Sequence, residues 1–156
     1  MKRTIAIACG GDTSEFEVSL RSAQGIYSFI DKEKYTLYIV EMHGPDWHVQ
    51  LPDGTKAPVD RNDFSFRLGG EKVVFDFVYI TIHGTPGEDG RLQGYLDMLH
   101  IPYSCCGVLA AALTYDKFAC NQYLKAFGVR IADSLLLRQG QSVSDEDVIG
   151  KIGPVS

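Results

Sequence analysis

The spacing of apolar residues changes several times along the chain, and each change marks an element. Residues 4–9 form a short, nearly continuous apolar run, as expected of a strand buried on both faces. After a polar turn the spacing becomes helical, with Val18, Leu20, Ala23, Ile26, Tyr27, Phe29 and Ile30 as the apolar positions. Residues 35–42, YTLYIVEM, predict a second strand and complete a β-α-β unit. Two short runs, 47–51 and 55–57, then flank Pro52-Asp53-Gly54 and read as a hairpin. Residues 64–68 alternate apolar and polar, a further short strand before Gly69-Gly70, so 44–71 reads as an antiparallel insertion at an edge or end of the sheet. Residues 75–82 predict the third strand of the parallel set. Beyond a glycine-rich loop, Leu92, Tyr95, Leu96 and Leu99 recur on one helical face. Pro102 pushes Ile101 out of the helical region, so 101–104 should be extended. A long helix is expected over 107–127, closed by Gly128, then a strand over 133–137. A helix over 144–151 should be capped by Ser144, with Glu146 and Asp147 in its first turn. The order predicts an α/β fold with a mainly parallel sheet.

Composition narrows the class without naming an activity. A length of 156 residues suits one domain with little to spare, and 45% hydrophobic with 22% charged residues is ordinary for a soluble protein. The formal net charge of −5 argues against nucleic acid, whose phosphates call for a basic face. No apolar run approaches the roughly 18 residues that span a bilayer, so no membrane is expected as a partner. The start, MKRTIAIACGG, is basic and then apolar like a signal peptide, but its apolar part ends too soon at a glycine turn. Cys9, Cys105, Cys106 and Cys120 form no CxxC pair, and the expected compartment is the reducing cytoplasm. Cys9 and Cys120 read as small core residues.

Candidate chemistry gathers in two loops that leave the carboxyl ends of predicted parallel strands. One is Gly10-Gly11-Asp12-Thr13-Ser14-Glu15; the other runs from His83-Gly84 to Gly87-Glu88-Asp89-Gly90. If the first and third strands are neighbours, both loops face one crevice, the place where open α/β sheets bind ligands. Dinucleotide binding is disfavoured, because Gly10-Gly11 lacks the further glycines of G-x-G-x-x-G, although Glu41 stands where a ribose-binding acid would. Glu15, Glu17, Glu88 and Asp89 would make the crevice negative and suited to a cationic group. The same residues also have plainer readings. Thr13 or Ser14 would cap the helix, and Glu15 would face its dipole. Glu88 and Asp89 would cap the following helix, and His83 would be a structural histidine. The residues alone leave these alternatives open.

Taken together, the two loops resemble the N-terminal region of D-alanine–D-alanine ligases. The resemblance rests on Gly10 through Ser19, on His83-Gly84 with Gly87-Glu88-Asp89-Gly90, on Leu92-Gln93-Gly94, on Ile101-Pro102-Tyr103 with Gly107-Val108, and on residues 112–117 with Gly128. It covers most of the chain apart from 44–71. The resemblance implies a Rossmann-like, pre-ATP-grasp layered domain over 1–128 and the start of a truncated central ATP-grasp domain over 129–156. It implies a cytoplasmic enzyme in which ATP phosphorylates one D-alanine, the amine of a second attacks the acyl phosphate, and Mg2+ or Mn2+ bridges the phosphates. The dipeptide would serve peptidoglycan synthesis. Most of the groups that hold ATP and metal would lie in domains outside this chain, so the piece alone would not ligate.

Carried over by position, Glu15 matches the family's acid on the ammonium of the first D-alanine. Val18 matches a residue lining its methyl pocket, His83 a histidine beside the same substrate, and Lys117 a lysine near the nucleotide phosphates. Glu88 would brace its loop. The sequence departs from the family with Ser104-Cys105-Cys106 after Tyr103, with Ala111 in place of serine and with Asn121 in place of lysine. A related ligase using a D-hydroxy acid, or a free-standing small-molecule binding module, are the alternative readings. The family's first domain commonly joins a dimer interface, so a homodimer is also implied.

Overall fold

The computed structural model describes residues 2–152. Its first strand, β1 (Arg3–Gly10), has Ala6, Ile7, Ala8 and Cys9 fully buried, so it needs cover on both faces. β1 lies between two parallel neighbours, β2 (Tyr35–His43) and a short strand over Phe77–Ile80. Between these in sequence come β3 (Asp46–Gln50), β4 (Lys56–Pro58), β5 (Ser65–Leu68) and β6 (Glu71–Val74), so the Phe77–Ile80 strand is β7. The main sheet has the order β4-β3-β2-β1-β7. β3 and β4 add to β2 as an antiparallel hairpin, and β5 and β6 form a separate two-stranded sheet. The insertion therefore sits at a sheet edge, as the turn chemistry predicts. It runs on to Val74, because the Gly69-Gly70 turn folds Glu71–Val74 back on β5. β7 itself, Phe77–Ile80, is shorter at both ends than the strand expected over 75–82.

Alternation along β1 sorts the core into two faces. Ile7 and Cys9 pack with Ile39 under α1 (Phe16–Phe29), which buries Ser19 and Ala23. Ala6 and Ala8 join Val40, Met42 and Val78 on the other face. Leu92 and Leu96 of α2 (Arg91–Met98) cover that face, with Phe64, Phe66 and Phe75. Trp47 packs edge-on against Phe64 and Tyr95 and ties the insertion to α2. The result is the layered α/β arrangement that the sequence predicts.

The chain divides into two compact units after Ala111. The expected helix over 107–127 is two helices, α3 (Val108–Tyr115) and α4 (Lys117–Ala126). Asp116 breaks it: its backbone is extended, and its side chain accepts a hydrogen bond from Ala119 N at 2.9 Å as the cap of α4. Residues 133–137 form no strand. There Ser134 is engaged by Asn121 at 2.9 Å and Asp133 by Lys125 at 3.4 Å, both from α4. α5 (Asp145–Ile152) begins as expected, with Ser144 Oγ accepting from Asp147 N at 3.1 Å. Among the described residues no helix is long and apolar enough to cross a membrane.

Candidate functional site

The parallel pairing of β1 with β7 brings the two glycine loops out at the same end of the sheet. They do more than face each other, because they are hydrogen-bonded together. Asp12 N donates to Thr85 O at 2.9 Å, and Thr13 Oγ1 donates to His83 O at 3.0 Å. Close approach depends on glycine at two points. A Cβ on Gly11 would lie 2.7 Å from Ile82 Cγ2, and one on Gly84 would lie 2.5 Å from Thr13 Cγ2. Both glycines also hold positive φ, which L side chains rarely adopt.

Glu15 stands at the start of α1, exposed, in the N-cap position but with no capping bond from its side chain. The expected caps do not form. Thr13 Oγ1 accepts from Glu15 N at 3.3 Å and uses its own proton on His83, so it ties two loops instead of closing one helix. Val18, one turn further along α1, is 41% exposed, an apolar side chain left open on the same turn. His83 is half-buried where β7 gives way to the loop. Lys117 begins α4 in the second unit, exposed, and its Nζ donates to Thr114 O at 2.8 Å. The structure thus links the backbones of Glu15 and His83 within one unit, while Lys117 belongs to the other.

The second loop is braced from within. Glu88 Oε2 accepts from Gly84 N at 2.6 Å, and Glu88 N donates to Gly84 O at 2.8 Å, which is the bracing expected of Glu88. Asp89 accepts from Thr85 Oγ1 at 2.8 Å and from Arg91 N at 3.2 Å, at the start of α2. The Thr85–Pro86 peptide is cis. Gln93, almost fully buried on α2, donates from Nε2 to Gly87 O at 2.6 Å and to Cys105 Sγ at 3.2 Å. Cys105 therefore packs against the residue that supports the loop.

Sequence reasoning passed over Ser19, which joins the roots of both loops. It is fully buried, accepts from Gly10 N at 2.9 Å and donates to Thr81 O at 2.8 Å. Its signals in sequence are its place at the end of the Gly10–Ser19 motif and a hydroxyl on the buried stripe shared with Ala23 and Ile26, neither of which gives its partners.

Other titratable groups on the sheet pair or pack within the fold. Burial alone would raise the Glu41 carboxyl, but Gln50 Nε2 at 3.0 Å, the nearby His48 and Lys56 together hold it below the usual carboxylate value. His48 Nε2 lies 3.2 Å from Glu41 Oε2, close but not aligned as a hydrogen bond. Burial, with Glu41 adding to it, pushes the Cys9 thiol up to about 12, as befits a core cysteine. Cys120, expected in the core, is only half-buried. Among the described residues no group of three or more His, Cys, Asp or Glu could hold a metal ion.

Comparison with known proteins bears on what this arrangement serves. A family model described as the D-ala D-ala ligase N-terminus matches residues 4–106. A D-alanine–D-alanine ligase of Bacteroides thetaiotaomicron is 87% identical over 153 residues, which is 98% of this chain and 47% of that protein. The crystal structure of D-alanine-D-alanine ligase from Aeromonas hydrophila matches with a TM-score of 0.77 at 27% identity, over 94% of this chain and 54% of that one. That of the Bacillus anthracis ligase complexed with ATP matches with a TM-score of 0.68 at 25% identity, over 95% of this chain and 45% of the other. The chain spans about half the length of the curated relatives it matches. These matches support neither a free-standing module nor a D-hydroxy acid ligase. The family match takes in both hydrogen-bonded loops and the Ile101-Pro102-Tyr103 segment, and the chain accordingly belongs to the D-alanine–D-alanine ligase family, as an N-terminal portion of it.

Proposed function

We propose that this chain is the part of an ATP-dependent, cytoplasmic D-alanine–D-alanine ligase that receives the first D-alanine. Residues 1–128 form its substrate-side domain, and 129–156 begin the central domain that grips ATP and Mg2+ or Mn2+. In this reading the Glu15 carboxylate pairs with the substrate ammonium. The Val18 side chain borders the methyl group, and His83 hydrogen-bonds beside the same substrate. The substrate carboxylate is thereby presented to the γ-phosphoryl group of ATP, near which Lys117 offers a cation. The carboxylate oxygen takes the phosphoryl group and ADP leaves. The amine of the second D-alanine then attacks the acyl carbon, expelling phosphate and losing a proton as the peptide bond forms.

The observation that carries this reading is the direct bonding of the two loops, Asp12 to Thr85 and Thr13 to His83, which roots Glu15 and His83 in one unit. A site for an amino acid needs an anion for the ammonium, and Glu15 is exposed at the start of α1, next to the joined loops. The test uses the full-length protein with ATP, magnesium and D-alanine. Phosphate release should depend on D-alanine, and Glu15→Gln should lower its efficiency by about a hundredfold or more, the usual cost of stripping one partner from a desolvated charge pair. Release that does not depend on D-alanine, or a Glu15→Gln rate equal to the native one, would overturn the assignment.

A further inference from the structure

Thr13 is the residue through which the backbones of both candidate substrate contacts are tied together. Its hydroxyl works on both sides in that role: Oγ1 accepts from Glu15 N at 3.3 Å and donates to His83 O at 3.0 Å. Its backbone is engaged too, since Thr13 O accepts from Phe16 N at 3.3 Å, the first residue of α1. Its methyl group has a fitted seat. Gly84 holds φ at 76°, and any Cβ there would come within 2.5 Å of Thr13 Cγ2. The side chain is thus held on both its polar and apolar branches. Neither branch has a helix-capping role, because α1 receives no side-chain cap.

We propose that Thr13 is a positioning residue for the first D-alanine, fixing the Glu15 carboxylate and the His83 ring at one separation. This rests on the ligase reading given above. The argument is geometric. Glu15 and His83 lie on loops from different strands, and an amino acid held by both is bound well only if the loops keep their spacing. The Asp12–Thr85 backbone bond fixes the loops three residues from Glu15 and two from His83. The Thr13 hydroxyl is the link that touches the backbone of both. Without it, Glu15 N and His83 O each lose this shared link, and the Asp12–Thr85 bond alone is left to hold the spacing of the two contacts. ATP, held mainly by parts of the protein beyond this unit, would not sense the change.

The test compares full-length Thr13→Val, which keeps the methyl seat and loses the hydroxyl, with Thr13→Ser, which keeps the hydroxyl. Thr13→Val should raise the KM for D-alanine by about tenfold, as expected for the loss of roughly one to two ordinary hydrogen bonds. The KM for ATP should stay at its native value, and Thr13→Ser should restore D-alanine affinity to within about threefold of native, the scale of half a hydrogen bond. A native KM for D-alanine in Thr13→Val would overturn the proposal. So would an equal rise in both KM values, or a Thr13→Ser variant as impaired as Thr13→Val. Glu15→Gln is measured alongside. If it is impaired while Thr13→Val is native, only the role of Thr13 falls; if it is native, the ligase-site reading falls as well.

Discussion

Replacing Ser19 by alanine removes one oxygen from a site with no access to water. Ser19 is fully buried, and its hydroxyl is the partner recorded for Gly10 N at 2.9 Å and for Thr81 O at 2.8 Å. Alanine keeps the packing of the Cβ and leaves both backbone groups facing the methyl group. A buried polar group stripped of its partner costs about 1–3 kcal/mol, so two such groups bound the expected loss at about 2–6 kcal/mol, and about 3 is expected because one hydroxyl serves both. At about 2–4 °C per kcal/mol for a chain of this size, the melting temperature should fall by roughly 6–12 °C. Trp47 is the chain's one tryptophan and belongs to the same unit as Ser19, so its fluorescence during urea unfolding reports the right region. The midpoint should drop with the slope m unchanged. A loss below about 1 kcal/mol at unchanged m would refute the reasoning, since it would mean that Gly10 N and Thr81 O do not depend on this hydroxyl.

Two further outcomes follow from the same structure. Glu41 has its carboxyl held below its ordinary value of 4.5, so the unfolded chain takes up its proton first as the pH falls. Its contribution to stability should therefore be present above about 4.5 and be lost as the pH falls through the folded value; Glu41→Gln should show a flatter loss of urea midpoint over that acid range, and identical profiles would exclude the effect. Asp116→Ala removes the capping bond to Ala119 N and should cost the second unit about 1 kcal/mol, read as reduced helicity on heating by circular dichroism.

Much of the fold was legible because local pattern and tertiary need agree in β1, α1 and β2. The apolar run of β1 is buried on both faces, and the helical stripe of α1 falls on the face that covers it. Legibility failed where a side chain or a turn overrode the pattern. The apolar spacing over 107–127 continues through Asp116, but the carboxylate of Asp116 offers a better partner for Ala119 N than helix continuation does. The strand over Glu71–Val74 has no expectation in the sequence, because its apolar part is only Val73-Val74; it forms because Gly69-Gly70 reverses the chain and pairs it with β5. At the site, Glu15 and His83 were visible by resemblance, whereas the pairing of their loops needed the β1–β7 register. Thr13 was read as a cap because sequence shows only its neighbours along the chain, and its decisive partner, His83 O, lies 70 residues away. Ser19 was hidden for the same reason, its second partner being 62 residues away.

The sheet order has a bearing on solubility. Open sheets risk adding a foreign strand along any flank whose backbone groups are unpaired. Here the two flanks are closed by different means. Beside β2 the insertion hairpin takes the outer place, and its last strand, β4, is only three residues long and ends in Pro58, which has no N–H to offer. Beside β7 the chain's own 102–104 segment covers the groups: Val78 N donates to Pro102 O, Ser104 N to Val78 O, and Ile80 N to Ser104 Oγ. The antiparallel hairpin, which the family match over residues 4–106 takes in although the family-like motifs of the sequence do not, covers the outer edge of β2, and a version lacking it would bare that edge to intermolecular pairing.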